Sequence, residues 1–337
     1  MIKSTPHNLA MSYIYGGRQG ERPAAINPTS LACVELMKAS EAFFPEAHLK
    51  PETMARLALA GHQLLGFDSV MPEYSVHQES AAFGVEMDWG GPTMMPDSKT
   101  FPHGDFSPVT IPENILEKPS LSVVLRALEI LRREVGGKAT IIGKVMGPWT
   151  LSYHMAGTQN FLMAVGRKKF DAVRKMVESL APLTIAFANA QFKAGADAVV
   201  VADHATGNLV GPYHYRDLLL PIHKELFKAI NGPVILHVCG RTLDRMDLFA
   251  ESGVDVYHFE SANNAAEALE KVGGRITLAG NVNNPEVLLE GGPETVYQKT
   301  RELVAAGLRL LAPECAIPLT TPLASLKAIV EAAREGF

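Results

Sequence analysis

The sequence predicts one α/β domain over residues 1–337, a single (β/α)8 barrel of the TIM type, and three observations carry that prediction. A length of 337 residues suits one such barrel. Short β-rich runs alternate with helical stretches from about residue 138 onward, the rhythm of β-α units around a parallel sheet. Helices tend to close on a glycine just ahead of the next strand, as at Gly195, Gly253 and Gly307.

In chain order, residues 1–66 contribute N-terminal helices, with a strand at 24–27 and a helical reading over 31–66. A second strand is expected at 68–71. Residues 89–118 are rich in Pro and Gly and lack a period, so a long active-site loop or cover is expected there; structureless loops of that length are usually functional. Six further strands follow, at 139–145, 198–202, 233–238, 254–258, 275–280 and 308–312. The connecting helix over 168–193 shows its core face in Phe170, Val173, Val177, Leu180, Leu183 and Phe187, which recur at helical spacing. Eight strands close a barrel, and chemistry is then expected on the rim where the strands end.

Composition narrows the function. The chain is 47% hydrophobic and 20% charged, enough apolar material for a sizeable core. Lys and Arg (31) are fewer than Asp and Glu (36), for a net charge of -5, which argues against nucleic acid and toward a small substrate. The first residues lack a signal-peptide pattern and no apolar run reaches about 18 residues, so a cytoplasmic protein with no membrane segment is expected. Three cysteines, Cys33, Cys239 and Cys315, form no disulfide framework. Cys33 lies in a helical run and reads as core.

The fifth strand ends in His237-Val238-Cys239-Gly240. Residues i and i+2 of an extended chain face the same way, so imidazole and thiol can converge, and Gly240 lets the chain turn at once. Cys315 follows the eighth strand, on the same rim of a closed barrel. One nitrogen and two sulfurs suit Zn2+ with a fourth position open to water, carboxylate or substrate. The competing reading is inert core packing, since buried His and Cys are common and spacing alone does not prove convergence.

His237-Val238-Cys239-Gly240, the run Leu278-Ala279-Gly280-Asn281-Val282-Asn283-Asn284-Pro285 and the C-terminal Ala312-Pro313-Glu314-Cys315-Ala316-Ile317-Pro318 resemble the uroporphyrinogen decarboxylase superfamily, and within it the methylcobamide:coenzyme M methyltransferase branch. The likeness covers nearly the whole chain. It implies a (β/α)8 barrel holding one zinc on His237, Cys239 and Cys315, and methyl transfer from a methyl-Co(III) corrinoid to a thiol, with coenzyme M as the expected acceptor. Transfer to tetrahydrofolate or homocysteine, or a non-catalytic zinc-containing module that binds a corrinoid protein, are the alternatives. The decarboxylase branch grips its tetrapyrrole with an Arg-rich N-terminal motif, whereas this chain reads Gly20-Glu21-Arg22-Pro23-Ala24-Ala25-Ile26-Asn27 there, without the side chains for that reaction.

The same resemblance points to Glu260 as a fourth zinc ligand that leaves when the thiol arrives, or as a rim carboxylate in a hydrogen-bond network. Asp203, beside His204 at a strand end, is expected behind the metal ligands or orienting substrate. Asn281 is a candidate donor to a ligand's anionic end, and Asn284 is expected to cap the helix that starts near Pro285. Asp203-His204-Ala205-Thr206-Gly207 has the residue types but not the spacing of a cobalamin-binding Asp-x-His-x-x-Gly, so methylcobamide is expected as a substrate on a separate corrinoid protein.

Overall fold

The structure, a computed structural model, describes residues 5–17, 20–167, 169–207 and 209–337. Every strand expected from the sequence is present: β1 (Ala24–Ala25), β2 (Ser69–Val70), β3 (Thr140–Met146), β4 (Ala198–Ala202), β5 (Val234–Val238), β6 (Val256–Phe259), β7 (Thr277–Val282) and β8 (Leu310–Pro313). They pair in parallel in the order β1-β8-β7-β6-β5-β4-β3-β2. Between β1 and β2 the gap is bridged by Asp68, whose backbone N–H donates to Ala25 O (2.7 Å) and whose carboxylate accepts from Ala25 N (2.9 Å). Ser69 Oγ accepts from Asn27 N at 2.6 Å. Arg22 holds the same carboxylate through both guanidinium nitrogens, at 2.6 and 2.8 Å. Side chains thus complete a ladder that two-residue strands cannot complete alone.

The helices around this sheet follow their apolar periodicity. In Pro119–Val135, Leu121, Val124, Leu128, Leu131 and Val135 are buried at helical spacing, and proline at the first turn loses no hydrogen bond. The helix expected over 168–193 runs Phe170–Ala194; Lys168 lies outside the described residues. It stops at Gly195, whose φ of 117° is the left-handed cap geometry that a Cβ would oppose.

One expectation needs correction. The stretch 31–66 is not one helical run but Val34–Ser40, Glu46–Leu49 and Pro51–Gln63, because Glu41 closes the first helix in left-handed geometry (φ 52°) and Pro45 and Pro51 stand at the starts of the next two. The segment 89–118 is the long loop expected, with two short elements in it: Asp97–Ser98 pairs antiparallel with Met87–Asp88, and Ile115–Glu117 forms a 3-10 turn. This ribbon is anchored by Ser98 Oγ, 3.1 Å from His77 Nδ1. Among the described residues no helix is long and apolar enough to cross a membrane.

Register sets the site. Ala202 lies opposite His237, His237 opposite His258, and Asn281 opposite Ala312, so the ends of β4 to β8 emerge side by side on one rim.

Candidate metal centre

His237 is buried near the end of β5, Cys239 lies just past it, and Gly240 turns away with φ 77°. Nε2 of His237 stands 3.2 Å from Cys239 Sγ and 3.5 Å from Cys315 Sγ, and the two sulfurs are 3.3 Å apart. With bonds of about 2.1 Å to nitrogen and 2.3 Å to sulfur, the donors around a tetrahedral Zn2+ lie about 3.5–3.8 Å from one another. The triangle is therefore close to the size of one ion, and its soft donors match that ion.

Electrostatics agree with this use. Burial, then the neighbouring His258 and His204, hold the His237 imidazole well below its ordinary pKa, so it is neutral and offers a lone pair. The S–H···S contact lowers Cys315 and raises Cys239, so the two thiols titrate as a pair with one proton bridging the sulfurs. A cation taking that proton's place would satisfy both sulfurs. His258 is pushed down to about 4 by burial, and its Nε2 lies 2.8 Å from Pro313 O, the residue two before Cys315.

The remaining expected residues form the frame. The Glu260 carboxylate accepts from Gly240 N–H and so holds the turn after Cys239; burial raises its pKa. Asp203 is fully buried, accepting from Thr150 N at 2.7 Å and from His223 Nε2 at 2.9 Å. The Thr150 hydroxyl in turn accepts from His204 N at 2.8 Å, so Asp203 stands behind His204. Asn281 Nδ2 donates to Asn263 O (3.1 Å) and Glu260 O (3.3 Å), tying β7 to the loop after β6. Asn284 is not the cap: Asn283 accepts from Glu286 N (2.7 Å) and Val287 N (3.3 Å), because the helical segment starts at Asn284 itself. Asn284 Nδ2 is thereby free to hold Ala316 O (2.9 Å) and Cys315 O (3.3 Å).

Sequence reasoning passed over three contributors. His204 Nε2 is 3.8 Å from Cys239 Sγ, and the donor atoms of His204, His237 and Cys239 lie within 4.8 Å of one another. Its place at the end of β4 was the available signal. Asn263 accepts from Thr242 N (2.8 Å) and Leu243 N (2.9 Å) and donates to Gly240 O (2.9 Å) and Glu260 O (3.0 Å). Glu314 bridges Ser261 N (2.9 Å) and Asn284 N (2.8 Å). No local pattern marks the last two.

The profile of the family described as uroporphyrinogen decarboxylase (URO-D) matches residues 5–336. The chain belongs to the uroporphyrinogen decarboxylase family. Among relatives of this family member, a methylated-thiol--coenzyme M methyltransferase of Methanosarcina mazei is 30% identical, covering 98% of this chain and 89% of the relative. A methylcobamide:CoM methyltransferase, MtaA, of Methanosarcina barkeri is 31% identical, covering 95% of each chain. A solved structure described as a methyltransferase from Methanosarcina mazei superposes with a TM-score of 0.93 at 29% identity, covering 99% of both chains. The (β/α)8 architecture of this chain is therefore shared with that methyltransferase.

Proposed function

We propose that this protein is a methylcobamide:thiol methyltransferase, moving a methyl group from a methyl-Co(III) corrinoid on a separate protein to a small thiol, with coenzyme M as the expected acceptor. The observation that carries the reading is the convergence of His237, Cys239 and Cys315 on one point of the rim. Relatives that bear methylcobamide:CoM methyltransferase names over nearly the full chain support it.

The residues divide the work. His237, Cys239 and Cys315 would hold Zn2+, two thiolates and a neutral imidazole balancing its charge. Bound there, Zn2+ would supply an acceptor thiolate at neutral pH, where a free thiol is largely protonated. Glu260 and Asn263 fix the Gly240 turn, and Asn284 and Glu314 fix the Cys315 loop, so the donors are oriented before substrate arrives. In the transfer, the acceptor sulfur's lone pair forms the S–CH3 bond while the Co–C bond breaks with both electrons left on cobalt. The products are a thioether and Co(I), and the acceptor's proton goes to solvent.

The test is anaerobic incubation of the zinc-replete protein with methylcobalamin and coenzyme M, followed by the cobalamin spectrum, beside tetrahydrofolate and homocysteine. Conversion to Co(I) with coenzyme M is the expected result. Conversion only with another acceptor would refute the coenzyme M assignment, and no conversion with any would refute methyl transfer.

A further inference from the structure

Lys144 is a buried cation that the proposed chemistry leaves unused. Its neighbour Gly143 faces outward, where a Cβ would collide with Gln191 of the surrounding helix, so Lys144 points into the barrel. Met146 stands opposite Ala202, and Ala202 opposite His237. At about 3.3 Å per residue, Lys144 therefore starts roughly 6.6 Å below the level of His237, on the same inner face. Its stem carries Nζ to the carbonyl of Tyr74, past the end of β2, at 3.0 Å. That carbonyl is the one hydrogen-bond acceptor of Nζ among the described residues, although Lys144 is only 4% exposed.

No carboxylate among the described residues pairs with this ammonium. Glu73 is taken up by Asn27 Nδ2 (3.1 Å), Ser30 Oγ (2.5 Å) and Leu31 N (3.1 Å). Glu79 accepts from Met146 N at 2.8 Å, and burial raises its pKa to about 7. Burial also lowers the Lys144 pKa, and the charges that oppose this are those of Glu73, Glu79 and Cys315, so the ammonium lies in the field of the donor triangle. Three N–H donors around a buried charge call for more than one carbonyl, and an anion is the partner that would satisfy them. Asn281, the residue the sequence suggests for that task, has its Nδ2 engaged with Asn263 O and Glu260 O.

We infer that Lys144 anchors the anionic end of the methyl acceptor, so that the site takes short thiols with an acidic group at the end opposite sulfur, such as the sulfonate of coenzyme M. The inference rests on the methyl transfer proposed above and makes Lys144 a specificity-determining residue, apart from the metal ligands.

The experiment compares acceptors of like length that differ in terminal charge: coenzyme M (anionic), 2-mercaptoethanol (neutral) and 2-mercaptoethylamine (cationic). The zinc-replete full chain, wild type and Lys144→Met, is assayed with methylcobalamin, and binding of methyl-coenzyme M is measured by calorimetry without turnover. Wild type is expected to favour coenzyme M over 2-mercaptoethanol by about 30-fold in kcat/KM, with 2-mercaptoethylamine poorer still, the effect of one desolvated charge pair. Lys144→Met is expected to lose that preference, chiefly through KM, and to bind methyl-coenzyme M about 30-fold more weakly. A folding defect lowers the amount of active enzyme for every acceptor alike, so the ratio between acceptors reads the folded fraction alone. Equal kcat/KM for the three thiols in wild type, or an unchanged ratio in Lys144→Met, would overturn the inference. Methyl transfer to none of them would refute the methyl-transfer reading, and methyl-coenzyme M binding would then decide for Lys144. There, a loss of about 30-fold in the variant upholds the anchor, and equal binding overturns it.

Discussion

Asn263 offers the sharpest test of how the metal ligands are held. It is 2% exposed and uses both ends of its amide, accepting from Thr242 and Leu243 N–H and donating to the carbonyls of Gly240 and Glu260. Asn263→Ala removes these four bonds at once. At about 1 kcal/mol net each, less what water entering the space recovers, the loss is about 3 kcal/mol. For 337 residues an unfolding entropy of about 2.1 cal/mol/K per residue gives roughly 0.7 kcal/mol/K, so the melting temperature falls by about 4 °C. Because the Gly240 carbonyl is adjacent to Cys239, zinc affinity is expected to fall about ten-fold as well. Asn263→Asp keeps the volume and both accepting bonds but turns a carboxylate oxygen toward two carbonyls, so its affinity is expected to fall further than that of the alanine variant. The assay is thermal unfolding of metal-free protein together with zinc-chelator competition. Full zinc affinity in both variants, with the stability loss present, would refute the claim that Asn263 positions Cys239.

Other perturbations test the rest. Cys315→Ala is expected to abolish stoichiometric zinc binding and methyl transfer from methylcobalamin together; retention of full activity would sink zinc catalysis. His48 stacks on Phe44 with centroids 3.9 Å apart, and burial, then the Lys144 charge, pushes its pKa down to about 3. Unfolded, it titrates near 6.5, so its contribution is complete above that pH and is lost as pH falls toward 3. From pH 6.5 to 5, His48→Phe is expected to lose about 1.6 kcal/mol less than wild type in urea unfolding, and equal pH slopes would refute this. Asp68→Ala strips Arg22 of its partner and Ala25 N of its acceptor at the barrel seam, and is expected to destabilise by about 3 kcal/mol. A shift within about 0.5 kcal/mol would show that backbone pairing alone closes the barrel.

The fold was legible where its causes are local. Alternation, apolar periodicity and terminal glycines are written within a dozen residues of each element, so β3 to β8 fall where the sequence places them. The two front strands pair over two residues each and are completed by Arg22 and Asp68, a contact 46 residues long that no local pattern announces. The helical break at Glu41 and the capping of a segment by Asn283 in place of Asn284 turn on one-residue differences in backbone path.

For the site, the sequence by itself determined the donors that share a strand, since His237 and Cys239 face one way by the geometry of extended chain. It also placed Cys315 after the last strand, but only barrel closure brings its sulfur across 76 residues to 3.3 Å from Cys239. Tertiary structure alone decided which groups surround that triangle. There the register of β4 against β5 carries His204 beside Cys239, and the Gly240 turn gives Glu260 a backbone N–H to hold. Such choices depend on which groups are neighbours in space and which hydrogen bonds are already committed, and both exist only after the strands have paired.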